Sequence, residues 1–310
     1  MSRLTQVAIA LLMLDACGNS AAQDLVLGDW LREPSNRLPD ARTDWSRLLL
    51  RGQNSVYDEP LVTDRPDFTE ASSTVGRRVA QIETGYTFVY DDNEADSSVL
   101  RAHNAPEILL RYGMTENIEL RLFWSYVWER TIDAGAATAI DGAEDFAIGT
   151  KMDLLTEHAY RPETAVIVEF GFPTGGTFFS TDHLEVGVNI LYSWSLPHDW
   201  SLAGSTGYST SAELASLTIP PATVAQVHNR HNVWHQSVAL GAPLTDRIGF
   251  YIEYFGLYTD GLATNVSSHF IDGGFTYLWD NNTQFDIRAG HGLNDTSEDF
   301  FGGIGLSKRF

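Results

Sequence analysis

The strongest constraint on the fold is an alternation of apolar and polar side chains that begins near residue 79 and runs to the end of the chain. Its clearest example places Ile118 and Leu120 on one face and Glu119 and Arg121 on the other. A period of two is typical of strands whose two faces meet different surroundings. The alternation predicts about twelve segments of roughly 8 to 14 residues, the length that a tilted membrane strand requires. These segments are 81–90, 99–112, 118–130, 144–154, 164–172, 183–194, 200–210, 231–241, 248–257, 268–279, 283–291 and 299–310.

The connections between these segments alternate in length. Short turns lie at 113–117, 196–199, 243–247 and 280–283, and a slightly longer one lies at 155–163. Longer polar or glycine-rich connections lie at 91–98, 131–143, 173–182, 211–230, 258–267 and 292–298. This asymmetry is typical of outer-membrane barrels, in which an even number of strands returns both ends to the periplasm. We therefore predict an all-β fold, a transmembrane antiparallel β-barrel of about 12 strands.

Charged side chains repeatedly occupy the face opposite the apolar one. A basic residue that faced lipid at the bilayer midplane would cost about 2–4 kcal/mol, so this face is predicted to line the lumen. The candidate lumen residues are Glu83, Glu107, Arg111, Glu119, Arg121, Lys151, Glu169, Glu185, Glu253, Asp286 and Arg288. The alternative fold is a soluble β-sandwich, which shares the period of two but rarely repeats Trp and Tyr at its strand ends.

Composition excludes two further classes. Mean hydropathy is −0.16, and no internal stretch reaches the roughly 20 apolar residues of a spanning helix, which excludes a helical membrane protein. The formal net charge is −21, with 41 acidic against 20 basic residues, which argues against a nucleic-acid partner.

The two termini carry features of export and assembly. Arg3, an apolar stretch at 4–14 and small residues up to Ala22 predict a signal peptide that is cleaved after Ala22. Cys17 lies in a sequence similar to a bacterial lipobox, so lipidation is the alternative route of processing. The last residue, Phe310, is a terminal aromatic similar to the signal that the barrel-assembly machinery recognises. These features predict a Gram-negative outer-membrane protein with a signal peptide at 1–22, an N-terminal extension at 23–78 and a barrel at 79–310.

Several short motifs are distinctive. The most specific is Asp64-Arg65-Pro66-Asp67, which is followed by the stretch 81–86 at the start of the first strand. Further matching stretches are 106–107, 110–113, 119–121, 149–151, 172–175 and 302–310. Together they resemble the family of the MetA-pathway of phenol degradation, over roughly residues 61–310. The resemblance implies a porin-like barrel with a role in moving aromatic or other hydrophobic compounds.

The motif Asp64-Arg65-Pro66-Asp67 directly precedes the first strand. Pro66 has a fixed dihedral and favours an extended Arg65, and charges inside a barrel need partners. We therefore predict that the motif enters the lumen, either as a plug that gates it or as static filler. A mobile tail in the periplasm is the competing interpretation.

The sequence contains no catalytic or metal-binding motif. No nucleophile elbow, phosphate loop or pair of catalytic carboxylates is present. His231 and His235 would lie about 13 Å apart along one strand, too far to share a metal ion, and His228 precedes them in a loop. We therefore expect no enzyme, cofactor or metal.

The expected function is a channel or transporter for passive passage of small, aromatic or hydrophobic solutes. Its expected partners are these solutes, outer-membrane lipid and the barrel-assembly machinery. An integral hydrolase of the barrel-lipase type and a structural or docking barrel without transport remain as alternatives.

Overall fold

A computed structural model of the chain describes residues 56–93, 97–133, 135–219, 223–262 and 265–310, and among these the side chains outside 213–228. The predictions for the signal peptide, for Cys17 and for the extension up to residue 55 lie outside the described residues. The described strands are β1 (Ala80–Asn93), β2 (Ser98–Gly113), β3 (Ile118–Trp124), β4 (Tyr126–Asp133), β5 (Ala136–Ala143), β6 (Phe146–Leu155), β7 (Glu163–Phe172), β8 (Glu185–Ser195), β9 (Ser201–Ile219), β10 (Thr223–Pro243), β11 (Ile248–Asp260), β12 (Val266–Asp280), β13 (Thr283–Gly292) and β14 (Phe300–Arg309). Two short 3-10 helices lie at Val56–Asp58 and Pro197–Asp199.

The strands form one closed antiparallel barrel. β3 and β4 pair with successive parts of β2, so together they form one barrel strand. On their other side, β3 pairs with β6 and β4 pairs with β5, so β5 and β6 together form the next barrel strand. The fourteen described segments therefore give 14 − 2 = 12 barrel strands. β1 pairs with both β2 and β14, which closes the sheet on itself. The predicted barrel of about 12 strands is confirmed.

Three predicted loops are wrong, because two of them are largely strand and the third is half strand. The stretch 131–143 contains the end of β4 and β5, the stretch 211–230 contains parts of β9 and β10, and 258–267 contains the end of β11 and the start of β12. All three lie at the end of the barrel with the long connections. Strand segments that project beyond the membrane have water on their outer face, so they need no apolar alternation there. Hydrogen bonding continued where the hydrophobic pattern stopped.

Burial follows the alternation along the strands. Glu119 and Lys151 are 0% exposed and lie inside the barrel, whereas Trp128 and Ile252 are 46% and 48% exposed and lie on its outer surface. The outer surface is therefore apolar and aromatic, and the charges are turned inward, as the wall of a membrane barrel requires. A small apolar core also lies on the inner face, around Leu191. Among the described residues, no helix is long and apolar enough to cross a membrane.

The two ends of the barrel differ. At one end, called here the short-turn end, brief turns join the strands and the start of β1 meets the end of the chain. The N–H of Phe310 donates to the carbonyl of Ala80 at 2.8 Å. Turn residues bond locally: the Asp280 carboxylate accepts the N–H of Asn282 at 2.7 Å. This end corresponds to the predicted periplasmic side.

Candidate functional site

Residues 59–78 run inside the barrel, and we call them the luminal loop. The loop starts at the short-turn end, where the Leu61 N–H donates to the carbonyl of Asn281 at 2.8 Å. It also ends there, because the Arg78 N–H donates to the carbonyl of Gly113 at 2.7 Å. Both arms of the loop therefore leave the lumen through the same mouth.

Asp64 is the centre of a buried charge network. Its carboxylate accepts hydrogen bonds from Lys151 Nζ at 2.7 Å and from Arg121 Nη1, and Arg111 Nη1 lies 3.4 Å from Oδ1. All four residues are buried. The three cations come from β6, β3 and β2, which are neighbours in the barrel wall. Removing the carboxylate would leave these buried cations short of negative charge, which is costly.

Two wall carboxylates hold the backbone of the luminal loop. Glu83 Oε2 accepts the Asp64 N–H at 3.0 Å on the first arm, and Glu119 Oε2 accepts the Val75 N–H at 2.9 Å on the second. Arg111 bridges them: its Nη1 donates to Glu83 at 2.9 Å, and its Nε and Nη2 donate to Glu119 at 2.9 and 3.0 Å. Charge-assisted bonds of this kind are stronger than neutral ones. The two arms are thus tied to one arginine-centred group.

Arg65 lies against the seam where β1 meets β14. Its Nη1 donates to Glu107 Oε2 at 2.7 Å, and its Nη2 lies 3.5 Å from Asp286 Oδ1. Gly85 and Gly305 pair across this seam, and a Cβ on either would overlap the guanidinium. The two glycines therefore make the room that Arg65 occupies.

The tip of the luminal loop binds β10 and β11. The N–H groups of Phe68 and Thr69 donate to the two oxygens of Glu253 at 2.6 and 2.8 Å. The Thr69 hydroxyl also contacts Glu253 and lies 2.5 Å from the hydroxyl of Ser237. The Phe68 ring stacks on Phe255, with centroids 4.5 Å apart and planes 5° apart.

Asp64 and Asp67 both lie in the luminal loop, outside the membrane-spanning strands, but their surroundings shift their pKa values in opposite directions. Burial acts to raise the pKa of Asp64, but nearby cations, Arg111 foremost, outweigh it and lower the pKa below its ordinary value of 3.8. Burial raises the pKa of Asp67 well above 3.8, and the carboxylate of Glu253 adds to the effect. Asp64 therefore binds as an anion, whereas the site of Asp67 favours the neutral acid.

The structure brings ten of the eleven candidate lumen residues to the luminal loop or to the cavity beside it. Arg288 donates to the Pro66 carbonyl at 3.0 Å, and Glu169 lines the cavity. The exception is Glu185, at the start of β8 near the long-connection end. There its carboxyl packs beside Gly171.

The cavity beside the luminal loop has a volume of about 300 Å³, and its lining combines charged side chains with Ile108, Leu109 and Phe123. Within the described ranges, the Nε atoms of Arg65, Arg121 and Arg288 have no hydrogen-bond partner, and all three residues line it. Its other charged lining residues include Asp67, Glu70, Glu107 and Glu169. The lumen is thus narrowed by the loop, and a cavity with a mixed charged and apolar lining remains beside it.

Sequence reasoning missed the inward-facing aromatic residues. Phe255, Phe270 and Phe301 form one buried cluster, against which Phe68 packs. The signal was present, because Phe255 is two positions from Glu253 and therefore shares its face. It was hidden because β11 is apolar on both faces at this height.

Phe310, the predicted assembly signal, is 65% exposed at the short-turn end. Its carbonyl accepts a hydrogen bond from the Tyr57 hydroxyl at 2.9 Å. The ring is therefore accessible, whereas the backbone is tied to the segment that leads into the luminal loop.

The sequence profile of one protein family, described as "Putative MetA-pathway of phenol degradation", matches residues 63–310. The chain belongs to this family. The match begins at Thr63, inside the luminal loop, so this phenol-degradation family includes the loop's charged motif as well as the barrel. None of the curated proteins compared with the sequence matches it.

Solved structures with a similar fold are outer-membrane barrels. The β domain of the Bordetella autotransporter BrkA has a TM-score of 0.55 at 9% identity, over 75% of this chain and 100% of that one. The translocator domain of the autotransporter NalP from Neisseria meningitidis has a TM-score of 0.52 at 12% identity, over 76% and 89%. The NanC porin has a TM-score of 0.42 at 9% identity, over 74% of this chain and 98% of that one. This member of the phenol-degradation family is an outer-membrane β-barrel.

Proposed function

We propose that this protein is a channel for passive passage of small, aromatic or hydrophobic solutes through the outer membrane, and that the luminal loop is its plug. One observation carries the proposal: both arms of the loop leave through the short-turn end. The loop can therefore be withdrawn toward the periplasm as one piece, without threading a chain through the barrel. A segment that crossed the lumen could not be removed in this way.

The contacts of the loop suit a part that docks and undocks. Much of the interface consists of hydrogen bonds and ion pairs to Asp64, Arg65 and the backbone, rather than a continuous apolar core. Water can replace such partners when the loop withdraws, which lowers the cost of opening. The description of the family as a phenol-degradation pathway supports an aromatic solute.

The alternatives are a hydrolase and a structural barrel, and we propose a role that is not enzymatic. Several histidine rings bond to groups other than serine: His103 and His269 bond to tyrosine hydroxyls, and His235 bonds to Asn189. In the lumen, Ser205 and Ser237 bond to each other at 2.7 Å. Lipid turnover by the purified protein, lost on replacing one serine and one histidine, would favour the hydrolase instead.

We also infer two partners. The apolar outer surface contacts outer-membrane lipid, and the exposed Phe310 binds the barrel-assembly machinery.

The test is solute flux through liposomes that contain either the full chain or a variant lacking residues 23–70, which would remove most of the luminal loop. We expect the truncated barrel to insert, to pass phenol and small ions faster than the full chain and to unfold at a lower temperature. A matched control deletes residues 23–55, which precede the described part of the chain. Equal flux in all three would refute the plug, and no flux in any of them would refute the channel.

A further inference from the structure

The aromatic residues at the tip of the luminal loop form a contact that the ion pairs do not require. Phe68 is stacked nearly parallel on Phe255, and the His235 ring is nearly perpendicular to Phe68, with their centroids 5.4 Å apart. Behind it, the Phe255 ring lies 4.7 Å from Phe270 and 6.1 Å from Phe301. Stacked and edge-on pairs at such distances are favourable beyond simple burial. The wall of the lumen thus holds a three-ring surface on β11, β12 and β14, and the loop supplies the fourth ring.

We propose that Phe68 is a tethered occupant of a binding site for a neutral aromatic ring, and that a solute ring opens the channel by taking its place on Phe255. This inference rests on the proposed channel function and identifies what triggers it. A parallel ring at 4.5 Å is a contact that any small planar aromatic solute could reproduce.

Displacement of Phe68 reaches the rest of the tip through the backbone. The N–H groups of Phe68 and of the next residue, Thr69, are both bound to Glu253, so a shift of the ring pulls directly on these two bonds. A ligand shifts such an equilibrium only as far as it prefers one state. Here the solute binds only the state in which Phe68 is undocked, because the solute and Phe68 cannot occupy the same face of Phe255 together.

The charges around the site favour a neutral solute over an aromatic acid. Glu253 binds the backbone of Phe68 itself, Asp67 is the preceding residue, and Asp272 is close enough to influence Asp67. In the part of the chain that the structure describes, the Arg288 guanidinium lies 5.6 Å from the Phe301 ring centre, but it already donates to the Pro66 carbonyl and the Thr87 hydroxyl. A carboxylate on the solute would therefore add negative charge where Glu253 already binds the loop and the neutral form of Asp67 is favoured, with one engaged guanidinium nearby.

Ligand-observed ¹⁹F NMR with 4-fluorophenol tests the proposal on the purified full-length protein. A tethered competitor weakens the binding of any solute, so Phe68→Leu is expected to tighten it. If Phe68 is undocked in about a tenth of the unaltered molecules, the affinity of Phe68→Leu for 4-fluorophenol should be about tenfold higher. Phe255→Leu should weaken binding by a similar factor, since it removes the shared surface. We expect 4-fluorobenzoate to bind the full-length protein at least about tenfold more weakly than 4-fluorophenol.

Phe179→Leu is the matched control, because Phe179 lies in the connection between β7 and β8, against Gly142, and should leave binding unchanged. The gel-mobility shift of each unheated barrel shows that the variants fold. Unchanged or weaker binding in Phe68→Leu, or no binding to any variant, overturns the inference. Flux that persists with unchanged affinity in Phe68→Leu overturns the inference alone. The expected order of affinities without any flux overturns the channel and supports the aromatic site.

Discussion

Asp64 and Asp58 carry the same charge in the same N-terminal segment, but only Asp64 is buried. Asp64 lies among three cations from the wall, and breaking a buried pair by removing one partner costs about 3–5 kcal/mol. We expect Asp64→Asn to undock the luminal loop and to accelerate amide exchange at residues 61–76 by about a hundredfold or more. Hydrogen–deuterium exchange measures this directly.

Asp58→Asn is the control for this experiment, because the Asp58 side chain is exposed in the short 3-10 helix. It should leave exchange at residues 61–76 unchanged. Equal exchange in Asp64→Asn and the unaltered protein would mean that the ion pairs do not hold the loop.

The effect of Asp67 on the stability of the protein should depend on pH. Burial, and then the carboxylate of Glu253, raise the pKa of Asp67 above 3.8 in the folded protein. Its contribution to stability is therefore complete below pH 3.8 and is lost as the pH rises through the raised pKa. Asp67→Asn mimics the neutral acid and removes the cost of burying the charged form. At about pH 8 it should therefore raise the unfolding temperature, by about 2–4 °C for each kcal/mol gained in the free energy of unfolding. This gain should vanish below pH 3.8, and a lower unfolding temperature at pH 8 would contradict the assignment.

At the scale of elements, the luminal loop and the strands are matched to each other. The seam between β1 and β14 carries glycines where Arg65 lies, while β2 and β3 carry Arg111, Glu119 and Arg121 where the arms of the loop need charge. The strands thus supply space at one side and partners at the other. Such a match explains why the loop follows one defined path rather than filling the lumen at random.

For the whole molecule, charge sets the expected ion selectivity. Of the eleven candidate lumen residues, seven are acidic and four are basic, an excess of 7 − 4 = 3 acids in a chain whose net charge is already −21. Acidic linings favour cations. We expect the barrel lacking residues 23–70 to pass K⁺ severalfold better than Cl⁻, measured as a reversal potential across a KCl gradient.

Screening provides the internal check on this selectivity. The Debye length falls from about 10 Å at 0.1 M salt to about 3 Å at 1 M, so the preference for K⁺ should shrink at high salt. A preference for Cl⁻ at low salt would show that the arginines dominate the open lumen.

The sequence by itself determined the barrel, because a strand between lipid and a polar lumen must alternate its side chains. That rule was sufficient for the strand number, for the inward direction of Glu83, Arg111 and Glu253, and for the apolar outer surface. It failed at 131–143 and 211–230, where backbone hydrogen bonding continues the strands beyond the alternating pattern.

Only the tertiary structure decided which charges meet. Asp64 lies 57 and 87 residues from its partners Arg121 and Lys151, and no local pattern specifies pairs so far apart in sequence. It also decided that both arms of the luminal loop use one mouth, and that Phe68 reaches Phe255, 187 residues later in the chain (255 − 68 = 187). The physical reason is that alternation reports the surroundings of each face, whereas pairing depends on strand register and barrel closure, which bring distant residues to the same height in the lumen.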